Sequence, residues 1–215
     1  MTLFNQALSY DDVLVVPQYS DIESRSEVSL VSELDKDNRF ELPIIASPMD
    51  TVVETEMALA LAELGALGVI HRYNSIRDQK DMAWKVANAA PNKPVAAAIA
   101  ITGDFMERAE ALYNAGVTIL CVDVAHGHHI MMKDALKRLR RDLPDNIHIM
   151  AGNVATRKGY EDLADWGAHS VRIGIGGGSI CSTRVQTGHG VPTFQSVLDC
   201  SESEYAGTIP IIADG

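Results

Sequence analysis

Cys181 lies in the run GIGGGSICSTR, residues 174–184, with Gly174, Gly176, Gly177 and Gly178 crowded just ahead of it. Dense glycine permits positive φ angles and lets backbone N–H groups approach an anion closely. The same N–H dipoles favour the thiolate form of a nearby cysteine, which is the nucleophilic form. Ser179 adds a hydroxyl donor. The chemistry this loop can do is covalent attack by sulfur on a substrate held by an anionic group. Glycines also serve ordinary turns, but here S-I-C-S-T-R follows them directly. Cys121, inside TILCV, and Cys200, inside SVLDC, read instead as small core residues. His126, His128 and His129 have H-x-H-H spacing without an HExxH pattern or a carboxylate at ligand spacing. They read as a loop with a helix cap at 129 rather than as a zinc site.

These residues need elements to carry them. Short apolar runs alternate with stretches of helical period, the pattern of a parallel βα fold. The runs are 42–49, 66–72, 94–102, 118–125, 147–155, 170–176 and 209–215. Between them, 53–65, 75–90, 104–116, 129–144 and 156–168 place apolar residues three or four apart, and Gly65, Gly116 and Gly167 stand where helices should stop. The charges of KDALKRLRRDLPD read as a solvated helix face. Strands apolar at nearly every position are covered on both faces. In such folds ligands bind beyond the carboxyl ends of the strands. Ser47, Asp50, His71, Arg72, Asp123, His126, Asn153 and Asp214 all fall at such ends, as does the glycine loop. For His71, structural hydrogen bonds and a ligand-facing role are both open; for Asp214 the bland alternative is a plain Asp-Gly turn.

The chain has 215 residues, 47% of them hydrophobic and 22% charged, which suits one α/β domain over 1–215. A net charge of −11 leaves no basic stripe for nucleic acid. No apolar run is long enough for a signal or membrane segment, and three scattered cysteines without a C-x-x-C pair suit a reducing compartment, so a cytoplasmic protein is the plain reading.

GIGGGSICSTR, with SYDDVLVVPQYSDI, ASPMDTVVE, GVIHRYNSI, DVAHGH, AGNVAT and IIADG, resembles the IMP dehydrogenase/GMP reductase family in consistent order along the chain. The resemblance implies a (β/α)8 TIM barrel, usually a homotetramer, that binds IMP, XMP or GMP and uses NAD or NADP. It implies that Cys181 is the nucleophile that attacks purine C2 and that Thr183 helps activate water or ammonia. Ser47, Met49, Gly178 and Ser179 look like nucleotide contacts, with Ser179 at the 5′-phosphate, and Asp214 resembles the aspartate that holds the ribose hydroxyls. Asp123, Asn153 and His126 match positions near the nicotinamide cofactor. Gly176, Gly178 and Cys181 match positions whose carbonyls hold potassium in the dehydrogenases.

Some features separate the two activities within the resemblance. The stretch NAAPNKP runs straight from the second helix toward the next strand, so no CBS-pair module is inserted, which leans toward the reductase. ESRSEV and SVLDC look reductase-like, whereas ASPMDTV, GSIC and TGHGVP look like the dehydrogenase. The balance favours NAD-dependent oxidation of IMP to XMP in guanine nucleotide biosynthesis, with NADPH-dependent conversion of GMP to IMP as the alternative. Gly177 stands where the family more commonly has proline and Ser182 where it has threonine. Seven strands against the eight of a complete barrel lead to the expectation of an incomplete barrel that is a poor catalyst alone. A non-catalytic nucleotide-binding remnant and an unrelated glycine-loop enzyme for a phosphorylated metabolite are the remaining readings.

Overall fold

The structure, a computed structural model, describes residues 6–215; the first part of the N-terminal reading, Met1 to Asn5, lies outside them. A small antiparallel hairpin, β1 (Ser32–Glu33) and β2 (Arg39–Phe40), precedes one sheet of seven parallel strands. These are β3 (Ile45–Ala46), β4 (Leu67–Ile70), β5 (Ala96–Ile99), β6 (Ile119–Asp123), β7 (His148–Val154), β8 (Ser170–Ile173) and β9 (Ile211–Ala213), neighbours in space in the order of the sequence. Helices α1 (Thr55–Glu63), α2 (Ile76–Ala89), α3 (Phe105–Asn114), α4 (Ile130–Asp142) and α5 (Arg157–Asp165) connect successive strands. The short α6 (Thr183–Thr187) and then α7 (Thr193–Ser201) lie between β8 and β9. This is an incomplete (β/α)8 barrel, and β3 and β9 are its two edges.

The expected apolar runs each contain a strand, but the strands at the two edges shrink to Ile45–Ala46 and Ile211–Ala213, because an edge strand is paired on one side only. Gly65, Gly116 and Gly167 end α1, α3 and α5 with φ of 72°, 95° and 108°, a region that favours glycine. His129 caps α4, its Nδ1 accepting the Met131 N–H at 3.1 Å.

Strand alternation divides the core in two. Ile70, Ala97, Ile99, Leu120, Val122, Ile149, Ala151, Val171 and Ile173 face the helices. Leu67, Val69, Ala96, Ala98, Ile119, Cys121 and Met150 face the interior, where Leu34 and Phe40 of the hairpin region close the lower end. Two further inward residues at that end are polar. His148, 2% exposed, bonds Asp35 of the hairpin turn through Nδ1 at 2.5 Å and Ser170 Oγ through Nε2 at 2.8 Å. Asp35 also takes bonds from Asn38. His148 therefore ties the plug to the strands. No local pattern in the sequence marks this residue, because its partners Asp35 and Ser170 are distant along the chain.

Burial pushes the His148 imidazole below its ordinary value despite Asp35, and burial together with Arg140 brings neighbouring His169 down to about 4. Burial raises the Asp35 carboxyl, but bonds from Asn38 and His148 outweigh it, and the group sits below the usual range. Both imidazoles take up protons less readily in the folded chain than in the unfolded one. Their contribution is present above about pH 6.5 and is lost as pH falls toward the folded values. We expect the thermal unfolding midpoint to fall between pH 7 and pH 4.5, followed by circular dichroism. His169→Asn, which can keep an acceptor for the Ile149 N–H, should flatten that profile; an unaltered slope would remove His169 from the account.

Candidate active site at the carboxyl end of the strands

Arg172, 5% exposed on β8, is the centre of the upper interior. Its Nη1 donates to Asp123 Oδ1 at the end of β6, and its Nη2 to Asp214 Oδ2 just past β9, both at 2.7 Å. Asn153 of β7 donates through Nδ2 to the same Asp214 oxygen at 2.6 Å and to the Gly174 carbonyl at 2.8 Å. Ser47, after β3, reaches Asp214 Oδ1 at 3.4 Å. Ser47, Asp123, Asn153 and Asp214, picked out separately in the sequence, thus belong to one hydrogen-bonded network. The residue that joins them was missed. Its signal was a lone cation inside the apolar run SVRIGIG, at a position that alternation turns inward.

Close backbone approaches complete the site. A Cβ on Gly152 would meet Arg172 Cβ at 2.6 Å, so glycine there leaves Arg172 its path across the strands. At Gly174, φ is +147° and a Cβ would stand 2.0 Å from the Asp214 carbonyl oxygen. Gly215 packs on Gly178, where an added Cβ would lie 2.7 Å from the Gly178 nitrogen. The end of β9 is thereby pressed against the glycine loop, so that Asp214 and the loop share one mouth.

Cys181 is partly exposed, its N–H bonded to the Gly178 carbonyl at 3.1 Å. The hydroxyl and then the N–H of Thr183 bond its sulfur and hold the thiol below its ordinary value, with smaller help from the Gly176 backbone and Arg184. The two other cysteines are different: burial pushes Cys121 up to about 11 and Cys200 to about 12. Of the three thiols, only that of Cys181 is lowered.

The remaining candidates are less engaged. Ser179 and His126 are exposed, and the Met49 N–H closes a turn onto the Ser47 carbonyl at 2.8 Å. His71 accepts the Tyr73 N–H at Nδ1 and lies 3.3 Å from Glu54 at Nε2, structural bonds on both ring nitrogens. Asn153 Oδ1 is buried without a partner. An unsatisfied acceptor on a residue bonded to Asp214 is one that a donor from a bound ribose or carboxamide would complete, and in this the residues present fit a nicotinamide nucleotide. Of the three carbonyls expected to hold potassium, that of Gly176 accepts from the Arg184 guanidinium at 2.9 Å and that of Gly178 from the Cys181 N–H at 3.1 Å. Among the described residues no cluster of His, Cys, Asp or Glu could hold a metal, and no helix is long and apolar enough to cross a membrane.

Removing Arg172 would leave two carboxylates facing each other in a largely buried place. Arg172→Met should destabilise the chain by about 3 kcal/mol, the scale on which one partner of a buried ion pair is lost, measured by urea unfolding. Arg172→Lys should rescue only part of it, because one ammonium cannot reproduce a two-armed fork. For Cys181, the rate of alkylation by iodoacetamide should reach half its maximum below about pH 8.5, the ordinary cysteine value; a midpoint at or above that would contradict the loop's effect on the thiol.

The profile described as the IMP dehydrogenase/GMP reductase domain matches residues 7–215. An inosine-5′-monophosphate dehydrogenase of Cryptosporidium parvum is 34% identical, over 98% of this chain and 62% of its own length. A GMP reductase of Vibrio parahaemolyticus is 33% identical, over 97% of this chain and 61% of its own. The chain thus spans about six-tenths of the length of these curated relatives. The crystal structure of a GMP reductase from Trypanosoma brucei in complex with guanosine 5′-triphosphate superposes with a TM-score of 0.91 at 26% identity, covering 99% of this chain and 81% of that one. On the match from residue 7 to residue 215, the chain belongs to the IMP dehydrogenase/GMP reductase family.

Proposed function

We propose that the mouth of this half-barrel is the nucleotide and nucleophile portion of a purine-nucleotide oxidoreductase site. Its reaction is the oxidation of IMP to XMP. The observation that carries this reading is the pairing of a thiol held below its ordinary value, Cys181, with a carboxylate fixed at the same mouth, Asp214. A thiolate adds to an electrophilic carbon, and a fixed carboxylate accepts hydrogen bonds from a ribose diol.

The sequence of events follows from these groups. Cys181 sulfur supplies the electron pair for a bond to purine C2, and the displaced C2–N3 π pair takes a proton at N3. Loss of hydride from C2 then leaves a thioimidate between sulfur and the base, and addition of water to C2 expels the thiolate and yields XMP. A nicotinamide cofactor supplies the hydride acceptor when bound. Asp123 and Asn153 would hold it, with His126 on the adjoining loop. Asp214 and Ser47 orient the ribose, Met49 and Gly178 line the nucleotide, and Ser179 donates to the phosphate. Thr183, whose hydroxyl lowers the Cys181 thiol, directs the incoming water.

The likeness to GMP reductases, in sequence and in fold, favours a second reading: the same thiol displaces ammonia from C2 of GMP, and NADPH supplies a hydride to give IMP. The homotetramer remains part of the proposal for the whole protein.

Two measurements test this. IMP or GMP should slow alkylation of Cys181 in the 215-residue chain, and failure of both to protect would sink the nucleotide reading. In the full-length gene product, rising absorbance at 340 nm with IMP and NAD, abolished by Cys181→Ala, identifies the dehydrogenase; falling absorbance with GMP and NADPH identifies the reductase. Absence of both signals would contradict an enzymatic role.

A further inference from the structure

Thr193 opens α7 and is 3% exposed, yet its Oγ1 is buried without a hydrogen-bond partner. Hydroxyls in such places normally have one, so this one is held there by something other than its own bonding. The neighbour is Gly177. A Cβ built on Gly177 would stand 1.8 Å from Thr193 Oγ1 and 3.1 Å from Thr193 Cβ. The hydroxyl fills the space that any side chain at 177 would need.

Neither partner can readily withdraw. On the helix side, buried Ser196 donates to the Ala155 carbonyl at 3.0 Å, and the Gln195 N–H donates to the Leu8 carbonyl at 3.0 Å. On the loop side, Gly174 is pressed against Asp214, and Ile175 is bridged to Val191. Gly176 has φ of +79° with the Gly190 Cα 3.2 Å from where its Cβ would be. Gly177 is thus seated between fixed points. The loop runs from it through Gly178, whose carbonyl holds the Cys181 N–H.

We propose that Thr193 is a positioning residue for Cys181: its hydroxyl is a steric seat on which Gly177 rests, and this fit sets how the loop presents the sulfur to Thr183. The proposal rests on the reading of Cys181 as the reactive group, but not on which nucleotide binds. It makes residues 177 and 193 a coupled pair, so that enlarging one is tolerated only when the other is reduced.

The test is a double-mutant cycle read by the pH dependence of Cys181 alkylation with iodoacetamide, located by peptide mass, in wild type, Gly177→Ala, Thr193→Ala and the double variant. Cys121 and Cys200 are fully buried and stay silent in folded protein. Gly177→Ala should shift the midpoint upward by about one unit, making labelling about tenfold slower at pH 7. The double variant should label within about threefold of Thr193→Ala alone, the mark of a coupled contact. Circular dichroism follows folding, since a merely structural contact would lower the unfolding temperature without moving the midpoint. If Gly177→Ala folds only when Thr193→Ala accompanies it, Thr193→Ala alone decides: a midpoint shifted from wild type upholds the positioning role, and an unshifted one overturns it. A wild-type midpoint in Gly177→Ala overturns the proposal. So does a double variant that is unfolded or still as slow as Gly177→Ala. No nucleotide enters this assay, so failure of IMP to protect Cys181 would count against the proposed function alone.

Discussion

The pairing of one guanidinium with two carboxylates inside the half-barrel sets most of what surrounds it. Arg172 is buried on β8, and burial alone would weaken its charge; Cys121, Asp214 and Asp123 around it reverse that and raise its affinity for the proton. Three strands, β6, β8 and β9, are thereby held at a common height by bonds of 2.7 Å. Such a group tolerates no loose partners in a medium of low polarity. The need to satisfy it accounts for the glycine at 152 and for the bond from Asn153 to Asp214. The floor of the mouth is rigid because its charges must be.

The thiol loop lies above this floor and is built on a different principle. Missing side chains let backbones cross there, at Gly174 over Asp214 and at Gly215 against the Gly178 nitrogen. Its Cys181 thiol is lowered by local hydrogen bonds from Thr183 rather than by the buried charges. Electrostatic anchoring and steric closeness thus divide the site between them, with Asn153 joining the halves through the Gly174 carbonyl.

Much of this was legible in the residues. Strand and helix alternation, the glycine stops at 65, 116 and 167, the cap at His129 and the special standing of Cys181 all follow from local pattern, because periodicity, positive φ and polarity act within a few residues. What escaped was long-range. Arg172 looked like part of a strand, since nothing nearby in sequence shows that Asp123 and Asp214 converge on it. Likewise, His148 looked like the start of an apolar run until the hairpin turn with Asp35 came to rest against it. Gly177, noted only as a departure from the commoner proline, has a physical reason in Thr193, a residue the sequence left unremarked. Of the potassium carbonyls expected from resemblance, those of Gly176 and Gly178 each accept one bond here, from Arg184 and from the Cys181 N–H.

The clasp between Leu8 and α7 bears on the order in which the chain becomes ordered. Leu8 N–H reaches the Gln195 side chain at 3.3 Å, its carbonyl takes the Gln195 N–H at 3.0 Å, and Tyr10 packs edge-on against Phe194 with ring centroids 5.7 Å apart. The partners are 187 positions apart. During synthesis, at roughly 5–20 residues per second, the segment around Leu8 waits on the order of ten seconds or more for the residues that will hold it. The strands between can pair with their immediate neighbours as they emerge, whereas this contact closes a loop of 187 positions. Of the two sides of the clasp, the one made first is held last.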